Sequence, residues 1–397
     1  MPLNCIELGI RQNLLYPFLF MLCINILRTI RVFFLQITGN EKLNSFFSLL
    51  TFLSNIFFSL MLLFLENKAN KTNRNTKIVG IYAIEEGNNE DLTRLDSDSK
   101  IFFLIFLDAY FEFISIIRKI YLLAAKPEKT NALPLDIRIR SREIIFASMI
   151  CYFTIGTQLK RHHIVSLIII LICVISLYIF EITSQFMLQY YDSIFKFLQL
   201  QALKIFINIC RVFSDVIEKY LFEFNYFSPF KLLFLKGIMQ TVFMAVFYLV
   251  NDTEGEFSSL FFSHNLSYIV LSIILLLLYF LISGFSSIYK LLTVKMYSPM
   301  TRTLSDTALD ILYFIYYSIK DEDEYKKFNT PYFWANFFGF LLMLFFNLVY
   351  NEILVLNFGE MGRNTHKEIS KRASNIKLIN SRNESNSINS ESIGSDD

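Results

Sequence analysis

Long apolar runs, each bounded by a short polar stretch, recur along most of this chain. A helix that crosses a bilayer needs about 20 mostly apolar residues. The runs are too long for the strands of a membrane barrel, and they lack the alternating polarity of such strands. The pattern predicts ten transmembrane helices, at residues 13–37, 43–65, 101–123, 142–159, 164–182, 199–219, 229–250, 266–289, 297–319 and 330–353.

Polar stretches divide the chain between these runs. Residues 66–100 and 126–141 are predicted loops, and the second holds the helix breakers Pro127 and Pro134. The Ser/Asn-rich carboxyl end is expected to be disordered. The predicted units are an amino-terminal segment 1–12, a first five-helix unit 13–182 that includes loop 66–100, a second five-helix unit 183–353, and a tail 354–397.

Composition supports a membrane protein whose main partner is the lipid bilayer. Hydrophobic residues make up 54% of the chain and charged residues only 18%, whereas soluble domains run at about 25% charged. A formal net charge of +2 lacks the basic excess of proteins that bind nucleic acid. The five cysteines show no paired spacing, so we expect buried thiols rather than a disulfide framework or a metal site.

The distribution of Lys and Arg predicts the orientation. Basic residues in the segments on the side of the amino terminus outnumber those on the other side about twofold, and basic loops face the cytosol. We therefore expect both termini in the cytosol. An even number of spans with both ends on one side also allows two inverted halves of five helices.

Charged side chains recur inside the predicted spans at helical spacing, which places them on one face of each helix. Such residues are costly in a membrane and often mark a pathway for ions or solutes. They are Asp108 and Glu112 in the third span, Arg211, Asp215 and Glu218 in the sixth, and Arg302, Asp306 and Asp310 in the ninth. A polar translocation pathway is the functional interpretation. The alternatives are internal pairs that stabilise packing, and snorkelling of Arg28, Arg31, Arg118, Lys119 and Lys236 to the headgroups.

The motifs of an enzyme or an ATP-driven pump are missing. The sequence has no H-E-x-x-H, no phosphate-binding G-x-x-x-x-G-K-[ST] and no Gly-x-Ser-x-Gly. We therefore predict no catalytic residues, no cofactor and no metal. The pair His162-His163 is expected in a solvated turn.

From about residue 101 to residue 353, the order of short motifs resembles the drug/metabolite transporter superfamily, and within it the nucleotide-sugar-transporter-like F branch of solute carrier family 35. The motifs are Leu107-Asp108, Arg142 before an apolar helix, Leu159-Lys160-Arg161-His162-His163, Glu218-Lys219-Tyr220-Leu221, Ser228-Pro229, Gly237, Arg302 through Asp306, Gly339 and Tyr350-Asn351-Glu352. The resemblance implies an all-α membrane protein with ten transmembrane helices in two inverted five-helix repeats.

That resemblance also implies function. We expect a secondary transporter of an organic solute, nucleotide-linked or otherwise anionic, that works by alternating access. The predicted substrate contacts are Arg211, Arg302, Asp306 and Asn336, and the predicted coupling or charge-pairing residues are Asp108, Glu112, Asp215, Glu218 and Asp310. Gly237 and Gly339 are expected at close helix contacts.

Several alternatives remain open at this point. A non-transporting membrane scaffold or receptor, whose tail recruits partners, is the competing function. An endomembrane such as that of the Golgi, the endoplasmic reticulum or a lysosome-like organelle is the expected location, with the plasma membrane as the alternative. A homodimer is also left open.

Overall fold

The structure, a computed structural model, is a bundle of helices with one small sheet. It describes residues 6–8, 14–38, 44–73, 97–124, 143–188, 194–251, 266–320 and 331–356. Within these residues lie ten helices: α1 Leu15–Thr38, α2 Asn44–Asn73, α3 Asp98–Ala124, α4 Glu143–Thr154, α5 Arg161–Leu188, α6 Ile194–Phe224, α7 Pro229–Asn251, α8 Leu266–Met296, α9 Pro299–Lys320 and α10 Pro331–Tyr350.

The composition of these helices fits a membrane-embedded protein. In the described part of the chain, four helical stretches are long and apolar enough to cross a bilayer, namely Leu15–Phe34, Phe46–Glu66, Pro229–Leu249 and Ile269–Met296. Large apolar side chains also cover the outer surface. Phe153 and Leu249, for example, are 73% and 85% exposed, which is costly in water and favourable in lipid. The all-α, membrane-embedded architecture predicted from the sequence is therefore confirmed.

Several predicted helix boundaries are wrong, and the ends of α2 and α4 show two different causes. α2 continues through Asn73, so residues 66–73 are helical rather than part of a loop. Hydropathy ends the span at the first charged residue, although Glu, Lys and Asn are compatible with a helix that leaves the membrane. The fourth helix ends at Thr154, before the predicted residue 159, because Gly156 adopts a left-handed φ of 73°.

Other predictions fall outside the described residues. These are loop positions 74–96, the loop at 126–141, and the tail beyond residue 356. The first residues of that predicted tail are described, however, and they form a strand. β2 (Leu354–Leu356) pairs antiparallel with β1 (Ile6–Leu8), with Glu7 opposite Val355. The two ends of the described chain therefore lie side by side, on one face of the bundle.

Most of the closely packed helix pairs join one of the first five helices to one of the last five. α1 packs on α8, and α3 on α6; α2 packs on α7 and α8, and α7 also packs on α3. At the other side of the bundle α5 packs on α10, while α4 contacts α6 and α9. The buried apolar residues form separate clusters around these contacts, of which the largest joins α4, α5, α6, α9 and α10 through residues such as Ile144, Ile170 and Phe340.

The free cysteines described by the structure are packed as small apolar residues. Cys23, Cys151, Cys173 and Cys210 are all buried and unbonded to one another, as the sequence predicts. Gly237 and Gly339 also lie at close contacts. A Cβ atom at either position would come within 3.0 Å of Ile56 on α2 or Leu177 on α5, respectively.

The tightest of these close approaches is at Gly284 on α8. A Cβ atom there would lie 2.2 Å from Cδ2 of Phe58, whose ring is buried against α8. Gly284→Ala should therefore displace the ring and lower the free energy of unfolding by roughly 1–3 kcal/mol. Thermal unfolding of the purified protein measures this. In a Phe58→Leu background the same substitution should cost less, and an equal cost in both backgrounds would contradict the steric explanation.

Candidate functional site: an ion-pair network contributed by six helices

Charged side chains from α3, α4, α6, α7, α8 and α9 meet in the interior and form one continuous network. The described members are the acids Asp108, Glu112, Glu143, Asp215, Glu218 and Asp306, and the bases Arg211, Lys236, Lys290 and Arg302. The part of the network on α6 and α7 lies at a similar distance from the ends of these two helices. Glu218 and Lys236 lie six residues before the end of α6 and seven after the start of α7, which is about 10 Å along each helix.

Lys236 is the centre of one half of the network, which we call the lysine cluster (Asp108, Glu112, Glu218, Lys236 and Lys290). Its ammonium Nζ lies 2.8 Å from Asp108 Oδ1, 2.8 Å from Glu112 Oε2 and 2.6 Å from Glu218 Oε1. Lys290 on α8 adds a second ammonium, 2.9 Å from Glu112 Oε1 and 3.4 Å from Glu218 Oε1. The cluster thus ties α3, α6, α7 and α8 together.

Neutral donors complete the lysine cluster. The Ser214 hydroxyl donates to Asp108 Oδ1 and accepts a hydrogen bond of 3.1 Å from Lys236. The Gln240 amide donates to Glu112 Oε2 at 2.9 Å. Two carboxylate oxygens, Asp108 Oδ2 and Glu218 Oε2, are buried without a hydrogen-bond donor. Buried acceptors in this state are rare in folded proteins.

Arg302 is the centre of the other half, the arginine cluster (Glu143, Arg211, Asp215, Arg302 and Asp306). Its guanidinium is 2% exposed. Nη1 lies 2.7 Å from Asp215 Oδ2, and Nη2 lies 2.6 Å from Glu143 Oε2. Nη2 also contacts Asp306, one helical turn further along α9, at 3.1 Å. The planar fork of arginine suits this simultaneous contact with several carboxylates.

Asp215 connects the two clusters. One carboxylate oxygen faces Arg302 at 2.7 Å and the other faces the Lys290 ammonium at 3.4 Å. Because each charge polarises its neighbours in a medium of low dielectric constant, the two clusters act as one electrostatic unit.

The network is accessible only at its margins. The Arg211 side chain is 30% exposed, the Glu112 side chain 24% and the Lys290 side chain 12%, whereas Arg302, Asp215 and Lys236 are at most 3% exposed. Arg211 contacts Glu143 Oε1 at 3.1 Å and Asp306 Oδ2 at 3.9 Å. Arg211, Glu112 and Lys290 are therefore the most accessible of the side chains in these ion pairs.

The structure brings together most of the residues singled out in the sequence. The two carboxylates of α3, the arginine and two carboxylates of α6, and Arg302 and Asp306 of α9 all belong to the network. The side chains of Asp310 and Asn336 lie outside the described residues. The three charged stripes predicted on separate spans therefore converge on one place.

Sequence reasoning missed three members of the network: Glu143, Lys236 and Lys290. Lys236 does not snorkel to the headgroups, as one alternative proposed, because it is 2% exposed and holds three carboxylates. Lys290 is not in a loop, because α8 extends to Met296. None of these three residues has a charged residue at i+4 on its own helix, which is the signal that marked the others.

A second polar group lies where α5 begins and α10 ends. His162, on the first turn of α5, is buried rather than in a solvated turn, which corrects the expectation from the sequence. Its Nε2 lies 3.3 Å from Glu352 Oε1, and the Lys160 ammonium lies 3.7 Å from the same oxygen. Glu352 follows α10 with a left-handed φ of 56°, a conformation that closes the helix through a hydrogen bond from Ile353 N to Leu348 O at 3.0 Å.

Together with His163, these residues offer three ligand atoms within 4.8 Å of one another, so that a metal ion could be held here. Two contacts favour an ion pair instead. The Lys160 ammonium already neutralises the carboxylate, and the Lys160 backbone N–H donates to His163 Nδ1 at 3.2 Å. A metal-bound histidine normally donates its second ring N–H rather than accepting at it.

Comparison with known proteins assigns no family. No family model matches the chain, and no curated protein matches it. The function therefore has to be argued from the network itself.

Proposed function

We propose that the protein is a secondary transporter that moves an organic solute across an endomembrane by alternating access, with both termini in the cytosol. The observation that carries this proposal is the ion-pair network between α3 and α4 on one side and α6 to α9 on the other. Charges inside a membrane are costly, and they are retained mainly where they serve transport or proton relay.

The packing of the helices supports two inverted five-helix repeats, α1–α5 and α6–α10. If the two repeats are equivalent, each contact should have a counterpart in which every helix is replaced by the helix five places before or after it. The contact of α1 with α8 has such a counterpart in the contact of α6 with α3. The contact of α2 with α8 becomes that of α7 with α3, and the contact of α4 with α6 becomes that of α9 with α1. The pairs α2–α7 and α5–α10 map onto themselves, as expected along a pseudo-two-fold axis.

The network lies across the boundary between these repeats. Glu143 of the first repeat binds Arg302 and Arg211 of the second, and Asp108 of the first binds Lys236 of the second. Ion pairs across a moving boundary can exchange partners, which provides the discrete arrangements that alternating access requires. The resemblance to the drug/metabolite transporter superfamily points to the same mechanism.

Transport is tested with the full chain reconstituted in lipid vesicles. The vesicles are incubated with an isotope-labelled extract of small metabolites, and their contents are measured by mass spectrometry. At least one solute should enter faster than into protein-free vesicles. Arg211→Gln, at an accessible boundary contact, should lower that rate roughly tenfold, the equivalent of about 1.4 kcal/mol.

The control is Lys231→Gln, which removes an exposed basic residue that lies over the Phe227 ring, outside the network. Its uptake should match the wild type. If wild-type vesicles accumulate none of the metabolites, the transport proposal fails. If both variants lower uptake alike, the network is not the pathway.

One observation favours a second candidate, a non-transporting membrane scaffold or receptor. Most charges of the network are buried and paired with one another, as they would be if they only stabilised packing. A scaffold would bind its partners through the tail 357–397, so deletion of those residues would abolish recruitment and leave any vesicle uptake unchanged. A transporter is expected to show the opposite dependence, on Arg211 and not on the tail.

A further inference from the structure

We propose that the solute is amphoteric: a small molecule of the amino acid type, whose carboxylate binds Arg211 and whose ammonium group binds Glu112. This inference rests on the proposed transport function and deepens it by naming the class of substrate. It keeps the anionic group expected from the sequence and adds a second group of opposite charge.

The first step is the register of α3 against α6. Three contacts join the two helices at successive levels: Lys100 with Tyr220, Asp108 with Ser214, and Phe111 with Phe213. Residue numbers rise along α3 while they fall along α6, so the two helices are antiparallel. Glu112 lies about 6 Å beyond Asp108, and Arg211 lies about 4.5 Å beyond Ser214 in the same direction. The acid and the base are therefore at nearly the same level on neighbouring helices.

The second step is accessibility. The side chains of Arg211 and Glu112 are 30% and 24% exposed, more than those of the other network members. Arg302 is different, because its side chain is 2% exposed and both of its terminal nitrogens already contact carboxylates. Arg302 therefore holds the protein's own acids, and Arg211 is the guanidinium that is open to a ligand.

The third step is the donor capacity of Arg211. A guanidinium has five N–H donors. The described ion pairs of Arg211, with Glu143 and Asp306, involve Nη1 alone. The donors on its other nitrogens match the two oxygens of a carboxylate, which arginine binds in a fork geometry.

Glu112 has matching acceptor capacity. A carboxylate offers about four lone-pair sites, and Glu112 uses three of them in its described contacts with Lys236, Lys290 and Gln240. The described ion pairs do not join Glu112 to Arg211; each side chain contacts its own cluster instead. A solute with both charged groups would bridge the two clusters, across helices whose axes pack about 8–10 Å apart.

The fourth step is the charge of the ligand itself. Burial of an uncompensated ion costs several kcal/mol. A zwitterion brings one charge of each sign, so it enters without changing the net charge of the site, whatever charge the network carries. A phosphate ester has about 1.5–2 negative charges at pH 7, so a carboxylate is the better match for the single guanidinium of Arg211.

The test uses the purified full-length protein in detergent and three probes with the same straight four-carbon chain: 4-aminobutyrate, butyrate and butylamine. The first carries both charged groups, and each of the others carries one. Binding is measured from the rise of the unfolding temperature with probe concentration, since a ligand of the folded state stabilises it. We expect 4-aminobutyrate to bind about tenfold more tightly than either single-charge probe, which is the effect of one hydrogen bond to a charged group.

A second series varies the distance between the two charges. Glycine, 4-aminobutyrate and 6-aminohexanoate differ only in chain length, and one of them should bind best. If butyrate or butylamine binds the wild type as tightly as 4-aminobutyrate, the proposal is overturned. Absence of binding by every amino acid in the series overturns it as well.

Glu112→Gln and Arg211→Gln assign the two contacts. In Glu112→Gln the amine should contribute nothing, so 4-aminobutyrate and butyrate should bind alike. In Arg211→Gln the carboxylate should contribute nothing, so 4-aminobutyrate and butylamine should bind alike. A purely structural role would weaken all probes by one factor in both variants, and that result would overturn the proposal. Lys231→Gln, outside the network, should bind as the wild type does.

A variant with the charge retained guards against loss of folding. Glu112→Asp keeps the carboxylate but withdraws it by one methylene group. The preferred amino acid should then be a longer one, and an unchanged preference would contradict the contact.

Binding in detergent does not require transport. If the probes bind as expected but vesicles take up no solute, transport fails and the amphoteric site stands. If vesicles take up a solute and the comparison of probes fails, the site fails and transport stands.

Discussion

Replacement of Arg302 by methionine is expected to prevent most of the protein from folding. The guanidinium is 2% exposed and contacts Glu143, Asp215 and Asp306 within 3.1 Å. Methionine fills a similar volume but leaves three buried carboxylates without their main cation. Removal of one partner from a buried ion pair costs about 3–5 kcal/mol, which is a large part of the stability of an ordinary domain.

The measurement is the yield of monodisperse protein in size-exclusion chromatography, together with its unfolding temperature. Arg211→Met is the matched control, because it removes the other guanidinium of the arginine cluster from a side chain that is 30% exposed. It should fold with nearly wild-type yield. If Arg302→Met also folds well and only uptake is lost, Arg302 contacts the solute after all and the structural role assigned to it here is wrong.

The second large effect is expected at Lys236. Lys236→Met removes the ammonium that contacts Asp108, Glu112 and Glu218 within 2.8 Å, and the loss of stability should again be about 3–5 kcal/mol. The loss of stability comes from the acids that are left unpaired rather than from the missing amine. Replacing one of these acids with a neutral side chain should therefore restore part of the stability. Asp108→Asn is that change, since it keeps the size of the side chain.

A double-mutant cycle measures the compensation. The combined variant Asp108→Asn/Lys236→Met should be more stable than the sum of the single effects by roughly 0.5–3 kcal/mol. Strict additivity would mean that the Lys236–Asp108 pair contributes no interaction energy. Asn55→Ala on α2 provides a reference, because Asn55 lies against Gly237, next to Lys236 in the chain, without belonging to the network.

The helices themselves could be predicted from the sequence, because length and apolarity of a run are local properties. Each of the ten described helices overlaps one predicted run, and the errors are at the ends, where α2 extends to Asn73 and α8 to Met296. A prediction from hydropathy ends the span at the first charged residue, whereas the helix itself continues past that residue. The strand pair β1–β2 had no such signal, since three residues are too few for a periodic pattern.

The candidate site was predictable only in part, and for the same reason. Asp108 with Glu112, and Arg302 with Asp306, stand four residues apart on one helix, so the sequence alone places each pair on one face. Which helix supplies the opposite charge depends on packing. Lys236, Lys290 and Glu143 come from three other helices, and a single sequence contains no record of those contacts.

The small sheet has a mechanical consequence. β1 precedes α1 and β2 follows α10, so the three residue pairs of the sheet connect the outer ends of the two proposed repeats. The Lys160–Glu352 ion pair adds a second link, between the residue before α5 and the turn after α10. The described chain is thereby closed into a ring on this face. If the two proposed repeats rock against each other, this strand pair would limit how far their outer ends separate before its hydrogen bonds break.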